Sequence, residues 1–348
     1  MLTQTPSSST SASPGAATSS PKGRAWLIVV TILLACSVLL MVAYSAVSVY
    51  LAVRLQETKR MPIDTTPAAY GLQYKDVTFP SRYDNLQLKG WFIPGVLPNG
   101  KLTTQRAIIM VHGDTSNRED KAVGILSLSA DLAHRGFAVL TFDMRGNGQS
   151  PAAARSLGLY EQRDVLGAVD FLRSGSLPYP ELGKPRAIAG WGESMGGSTL
   201  ILAAAHEPAI QAIVSDSAFA DIIPRLERDI PAQGHVPAMF TPGGLIAAQV
   251  IYGVDYYHTR PVDVIASIAP RPIFLIQGTA DNTNHRDTPP SNMFILAAAA
   301  LGAPDANVQT WFVPGATHAK SYKVEGKVYV DRIVAFYTAA LGPDSSGS

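Results

Sequence analysis

From Tyr74 to Leu341 short apolar runs alternate with stretches of helical spacing, and this rhythm restricts the chain to an α/β architecture. Arg106–Val111 (RAIIMV) is almost continuously apolar, as a strand buried on both faces must be. Phe137–Phe142, Ala187–Trp191, Ile210–Val214, Pro272–Ile276 and Val308–Val313 read as further strands. Between and after them, Val123–Ala133, Tyr160–Leu172, Ser198–His206, Asn292–Leu301 and Val328–Leu341 read as helices, the first of them stopped at Gly136. Repeated strand–helix–strand units predict a mostly parallel central sheet flanked by helices. Lys75–Phe79 and Leu86–Ile93 resemble an antiparallel pair at one edge.

The interval from Ala218 to Pro270 breaks the rhythm. It holds Pro224, Pro231, Pro237, Pro242 and Pro261 together with Phe219, Phe240, Tyr252, Tyr256 and Tyr257. A segment this long inside a compact domain carries its own structure, and an unpacked excursion would expose too many large apolar groups. It is expected to form a short helical cap, spanning about residues 218–270, over the pocket.

The N-terminus is different in kind. Met1 to Pro21 is rich in Ser, Thr, Ala and Pro and bears no charge, so residues 1–24 read as a disordered tail. After Lys22 and Arg24, the stretch Ala25–Val53 is uncharged and is closed by Arg54. At about 1.5 Å per residue it would span a hydrocarbon core of roughly 30 Å, whereas the apolar region of a cleavable signal is usually only about 7–15 residues. Residues 25–54 are therefore expected to be a transmembrane helix, and Leu55–Tyr70 a linker standing the domain off the bilayer. Lys22 and Arg24 nearly balance Arg54, Lys59 and Arg60, so charge does not decide sidedness. The usual signal-anchor arrangement has the large domain outside.

The formal net charge is +1 with no dense basic block, which argues against a nucleic-acid partner. The single cysteine, Cys36, lies in the apolar run, so the domain has neither a thiol nucleophile nor a cysteine metal site.

Gly192-Glu193-Ser194-Met195-Gly196 fits G-x-S-x-G between a strand and a helix. A turn that tight needs small flanking residues, and it lifts the serine oxygen to the N-terminus of the following helix. A serine hydroxyl needs a base, and the base an orienting carboxylate. The strand–turn–helix architecture orders them Ser, Asp, His. Of seven histidines, His318 follows the last strand; His285, in an Asn-His-Arg-Asp stretch, is its competitor. Asp281 follows strand Pro272–Ile276 and is the favoured acid, with Asp287 and Asp216 as alternatives. Two oxyanion donors are expected from the backbone N–H groups of Met195 and Asp114. A metal at His112 and Asp114 lacks an evident third ligand, and the chemistry calls for no cofactor.

Val111-His112-Gly113, Asp143-Met144-Arg145-Gly146-Asn147-Gly148-Gln149-Ser150, Gly192–Gly197, Gly278 through Asp281, and His318 together resemble the α/β-hydrolase superfamily, from about Tyr70 to Leu341. More narrowly they resemble bacterial membrane-anchored serine hydrolases of the serine aminopeptidase-like and acylglycerol-lipase-like branch. The resemblance implies acyl transfer to water, with a small-molecule or lipid ester as substrate and a thioester or peptide as the alternatives. It also implies that the Asp143–Ser150 loop is structural. A non-catalytic binding module on the same scaffold is the reading from another class. Two departures touch the pocket: Asn282-Thr283-Asn284-His285 replaces a second carboxylate and an apolar-Pro step, and Asp114 stands where relatives carry an aromatic or small residue.

Overall fold

The computed structural model describes residues 21–281 and 291–344. The expected tail up to residue 20, the competitors His285 and Asp287, the Asn282–His285 departure, and residues 345–348 lie outside the described residues.

Helix α1 (Pro21–Gln56) is continuous, and an 18-residue window of it has a mean hydropathy of 2.8 with none of it buried. Residues up to Val47 form one compact unit and Ser48–Ser348 another, so the last turns of α1 belong to the second. There Ser48, Leu51, Ala52 and Leu55 are buried, spaced three or four apart along one helix face. The span expected at 25–54 therefore ends in residues packed against protein.

The segment expected as a stand-off linker lies along the domain instead. The Gln56 side chain donates to Tyr256 Oη (3.0 Å) and accepts from Arg155 N (2.7 Å). Asn117 Nδ2 donates to the carbonyls of Met61 (3.0 Å) and Pro62 (2.9 Å), and Asp64 N donates to Glu119 (2.7 Å). Prolines keep this stretch extended, but nothing in its own residues reveals that the loop at 114–121 supplies partners for its backbone.

The domain's strands are β1 (Lys75–Pro80), β2 (Gln87–Ile93), the short hairpin β3 (Gly95–Val96) and β4 (Leu102–Thr103), then β5 (Arg106–Val111). After α2 (Ile125–Ala133) come β6 (Ala138–Phe142), α3 (Gln162–Arg173), β7 (Ala187–Glu193), α4 (Met195–His206) and β8 (Ile210–Asp216). Helices α5 (Ile223–Gly234), α6 (Thr241–Tyr252) and α7 (Pro261–Val264) precede β9 (Ile273–Gly278). The chain closes with α8 (Asn292–Ala300), β10 (Val308–Val313), α9 (Ser321–Glu325) and α10 (Lys327–Leu341).

Eight strands form one sheet in the order β1-β2-β6-β5-β7-β8-β9-β10. β1 and β2 pair antiparallel at the edge and β2 also runs antiparallel to β6; β6 through β10 are mutually parallel. Alternate strand residues face opposite sides. Ile108, Met110, Val139 and Ala189 join Leu126 and Leu132 of α2 and Tyr329, Ile333 and Tyr337 of α10 in one core cluster. Helices α3, α4 and α8 pack on the sheet's other face.

Chain direction across the sheet switches at β5, which leads to β6 on one side and β7 on the other. A crevice opens beyond the carboxyl ends of strands at such a point. The interval Ala218–Pro270 is helical as expected, but it divides. α7 and the turn Ile265–Ile268 pack on α4 and α8 as part of the body, leaving α5 and α6 as the cap.

Candidate active site

The strand ends set the site. Register pairs Val111 with Gly192, Glu193 with Asp216, and Val313 with Gly278, so β5, β7, β8, β9 and β10 stop along one edge. Ser194 stands at the turn from β7 into α4 with φ +52° and ψ −123°, a strained conformation that tight functional turns hold. The surroundings enforce it: Ser194 N donates to Asp216 O at 2.8 Å. A Cβ added at Gly192 would lie 2.5 Å from Gly196 O, and one at Gly196 would lie 2.2 Å from Val111 O and 2.4 Å from His112 O. Both positions therefore exclude a side chain.

Three of the expected residues meet. His318 Nε2 is 2.8 Å from Ser194 Oγ, and its Nδ1 is 2.9 Å from Asp281 Oδ2. The tautomer protonated at Nδ1 satisfies both contacts, donating to Asp281 and accepting from Ser194. The Asp281 side chain is fully buried, whereas that of His318 retains 23% exposure, enough to face an incoming group. Hydrogen bonds tie the loops of Asp281 and His318 together: Thr279 N donates to Val313 O (2.9 Å), Ala280 N to Ala316 O (3.0 Å), and Gly315 N to Thr279 Oγ1 (2.8 Å).

Asp216, the alternative acid, is engaged elsewhere. It accepts from Ser217 Oγ (2.9 Å), Ser321 Oγ (3.0 Å) and Tyr329 Oη (3.0 Å), and Ser217 Oγ in turn accepts from Ala319 N (3.1 Å). It thereby braces the segment that follows His318, at Ala319 and Ser321. Burial pushes its pKa up to about 6 against these donors.

Met195 N opens α4, in the first turn where backbone donors lack helical partners. The close approach at Gly196 brings this helix start against the loop bearing Asp114. The Asp114 side chain forms an ion pair with Arg155, whose Nε donates to Oδ1 at 2.7 Å. Burial alone would raise the Asp114 pKa, but Arg155 outweighs it and holds the carboxyl below its ordinary value. Both ring nitrogens of His112 have partners, Gly113 O (2.7 Å) and Met144 N (2.9 Å), and burial lowers its pKa, so it is a neutral structural group. Asp143 likewise accepts from Arg118 N and Gln149 N, each at 2.8 Å, and shapes its own loop.

Glu193 was passed over as the variable position of the motif. Its side chain is buried behind Ser194, and Gly113 N donates to its Oε1 at 2.5 Å. Burial, reinforced by Asp120, pushes its pKa up to about 8. It joins the Ser194 turn to the loop of Asp114. The available signal was a carboxylate inside a sequence otherwise reading as buried strand and turn. Arg155 was also missed, because its partner Asp114 lies 41 residues away.

A cavity of about 310 Å³ adjoins Asp114 and Thr115, between the end of α1 (Leu51, Leu55) and α5 (Leu226, Ile230).

A family model described as the α/β-hydrolase fold matches residues 106–237. The YfhR protein of Escherichia coli K12 is 27% identical over 271 residues, covering 75% of this chain and 80% of that protein. YfhR of Salmonella typhi is 26% identical over 291 residues, covering 79% and 84%. Among solved structures, the Pyrococcus furiosus esterase Pf2001 superposes with a TM-score of 0.65 at 23% identity, covering 82% of this chain and all (100%) of that one. A Mycobacterium tuberculosis puromycin-hydrolyzing peptidase superposes with a TM-score of 0.60 at 20% identity, covering 81% of this chain and 41% of that one. Sheet order, the strained serine turn and these likenesses agree, and the chain has the α/β-hydrolase fold.

Proposed function

We propose that the chain is a serine hydrolase that cleaves an ester-type acyl substrate through a covalent acyl-enzyme. One observation carries the reading: the unbroken contact chain from Ser194 Oγ through His318 to the buried Asp281 carboxylate, at 2.8 and 2.9 Å. As Ser194 Oγ attacks the carbonyl, its proton passes to His318 Nε2. Asp281 holds Nδ1–H in place and stabilises the imidazolium. The N–H groups of Met195 and Asp114 receive the oxyanion. His318 then protonates the leaving alcohol, and water attacks the acyl-Ser194 ester by the same proton route. Carboxylesterase or lipase action is placed ahead of peptidase action because Leu51, Leu55, Leu226 and Ile230 offer an acyl chain one apolar side of the cavity beside Asp114, whose lining is shared by Arg54, Glu57, Arg225 and Asp229.

In this reading α1 tethers the domain to a membrane, supported by its length and hydropathy. The domain is assigned to the outer side as a signal-anchor protein, which a C-terminal reporter fusion decides. The chemistry is tested on the full-length protein. A fluorophosphonate probe should label it, and Ser194→Ala should abolish both labelling and hydrolysis of short p-nitrophenyl esters. Unchanged hydrolysis in that variant would remove Ser194 from the mechanism.

A further inference from the structure

Helix α6 carries an apolar face that none of the described residues covers. Residues 236–254 contain no charged side chain. The helix buries Leu245 and Ala248 against the domain, yet Ile246 (59%), Val250 (78%) and Ile251 (48%) are exposed, and Met239 in the preceding turn is 67% exposed. Ile246 and Val250 lie one turn apart on one side of the helix. Isolated exposed apolar residues are ordinary, but an uncharged helix that turns Ile246, Val250 and Ile251 outward together marks an interaction surface.

Its position names the partner. The buried side of α6 rests on the last turns of α1: a Cβ added at Gly244 would lie 3.0 Å from Leu51 Cβ, and one at Gly234 of α5 would lie 2.7 Å from Leu51 Cδ2. If α1 enters the hydrocarbon near Ala25 with an ordinary tilt of about 20°, Leu51 follows about 37 Å across the bilayer, against about 30 Å of hydrocarbon and about 5–7 Å of far headgroups. Leu51 then falls in the far headgroup layer, and α6 with it. Tyr50, beside Leu51, and Tyr257, in the turn after α6, are half exposed. Tyrosine concentrates at that depth. Helices that lie in the interface have one apolar face at the headgroup boundary, and α6 offers such a face.

We infer that α6 is a second membrane contact, lying in the bilayer surface beside the point where α1 emerges. This rests on the membrane-tether reading of α1. The cavity beside Asp114 shares Leu51 with this contact, so an acyl chain leaving the bilayer reaches the cavity without crossing bulk water. Lipid-borne esters are then the natural substrate class.

The test uses full-length protein in phosphatidylcholine vesicles whose acyl chains carry nitroxides at shallow or deep positions. With Cys36→Ser as background, single cysteines replace Val250, Leu40 and the exposed Lys101, and each is labelled with bimane. The docking reading expects Val250→Cys to lose emission to the shallow quencher, Leu40→Cys to the deep one, and Lys101→Cys to neither. Quenching at Leu40→Cys but not at Val250→Cys overturns the docking and leaves the tether standing. Quenching at neither overturns both. Disulfide-linked dimers of unlabelled Val250→Cys, with no quenching of the labelled protein, would assign the face to a second copy and likewise overturn it. Val250 is so exposed that its replacement leaves the core intact.

Discussion

Around Ser194 polar groups are buried and held by directed bonds, whereas around α6 apolar groups are exposed and the helices are held by packing. At the sheet edge Asp281, Asp216 and Glu193 are all nearly inaccessible, and each accepts from a defined donor. In the cap, α5 and α6 close on Leu51 through Gly234 and Gly244, with large side chains facing outward. Directional bonds fix atoms to within a fraction of an ångström, which proton transfer needs. Non-directional packing sets a cavity's shape and tolerates adjustment. On the proposed reading, the contrast puts chemistry at the sheet edge and substrate choice at the cap and the end of α1.

The sharpest way to break that division compares two carboxylates. Asp281→Asn removes the acceptor that orients His318 and should lower turnover by about 10³–10⁴, with fluorophosphonate labelling of Ser194 slowed alongside it. Asp216→Asn should lower turnover far less. Its cost falls on stability instead, about 1–3 kcal/mol for disturbing a buried acceptor of three hydroxyls. Equal turnover losses in the two variants would show that Asp216 shares the catalytic role. A smaller effect is expected in the cap. Leu51→Ala should cost about 2–3 kcal/mol in unfolding free energy, the low end for a buried leucine, and should shift acyl-chain preference more than the rate on a short ester. A loss of short-ester turnover matching Asp281→Asn would break the comparison from the other side.

The smallest effect is a pH dependence. Glu193 titrates near 8 in the folded chain against an ordinary 4.5. Between these values the native state keeps a proton that the unfolded chain has lost. Stability from this group is thus complete below the lower value and declines as pH rises toward the upper one. Glu193→Gln should flatten the fall of melting temperature across that window. Identical slopes in both proteins would mean that Glu193 is ionised in the native state.

Much of this was legible in the residues. The parallel strands announced themselves as unbroken apolar runs, since a strand covered on both faces has no polar side to show. Ser194, Asp281 and His318 each follow a strand end, and a parallel sheet aligns those ends, so order along the chain became proximity in space. The same logic failed where contacts depend on packing. Asp216 also follows a strand end, and only its hydroxyl partners tell it apart from Asp281. Glu193 looked like filler because a motif records spacing and says nothing of what lies behind the turn. Residues 55–70 read as a spacer because extended proline-containing backbone looks alike whether it is solvated or docked.

The sequence by itself determined the α/β alternation, the glycine-flanked serine turn, the chain order of Ser194, Asp281 and His318 after strand ends, and an apolar helix long enough to cross a bilayer. All of these are local or periodic properties written in neighbouring residues. Only the tertiary structure decided that Asp216 bonds the segment after His318 and not the imidazole, that Glu193 ties Gly113 to the Ser194 turn, and that the last turns of α1 form one wall of the cavity. Those outcomes depend on residues tens to hundreds of positions apart meeting at one distance and angle. Long-range packing settles such meetings, and no local pattern encodes them.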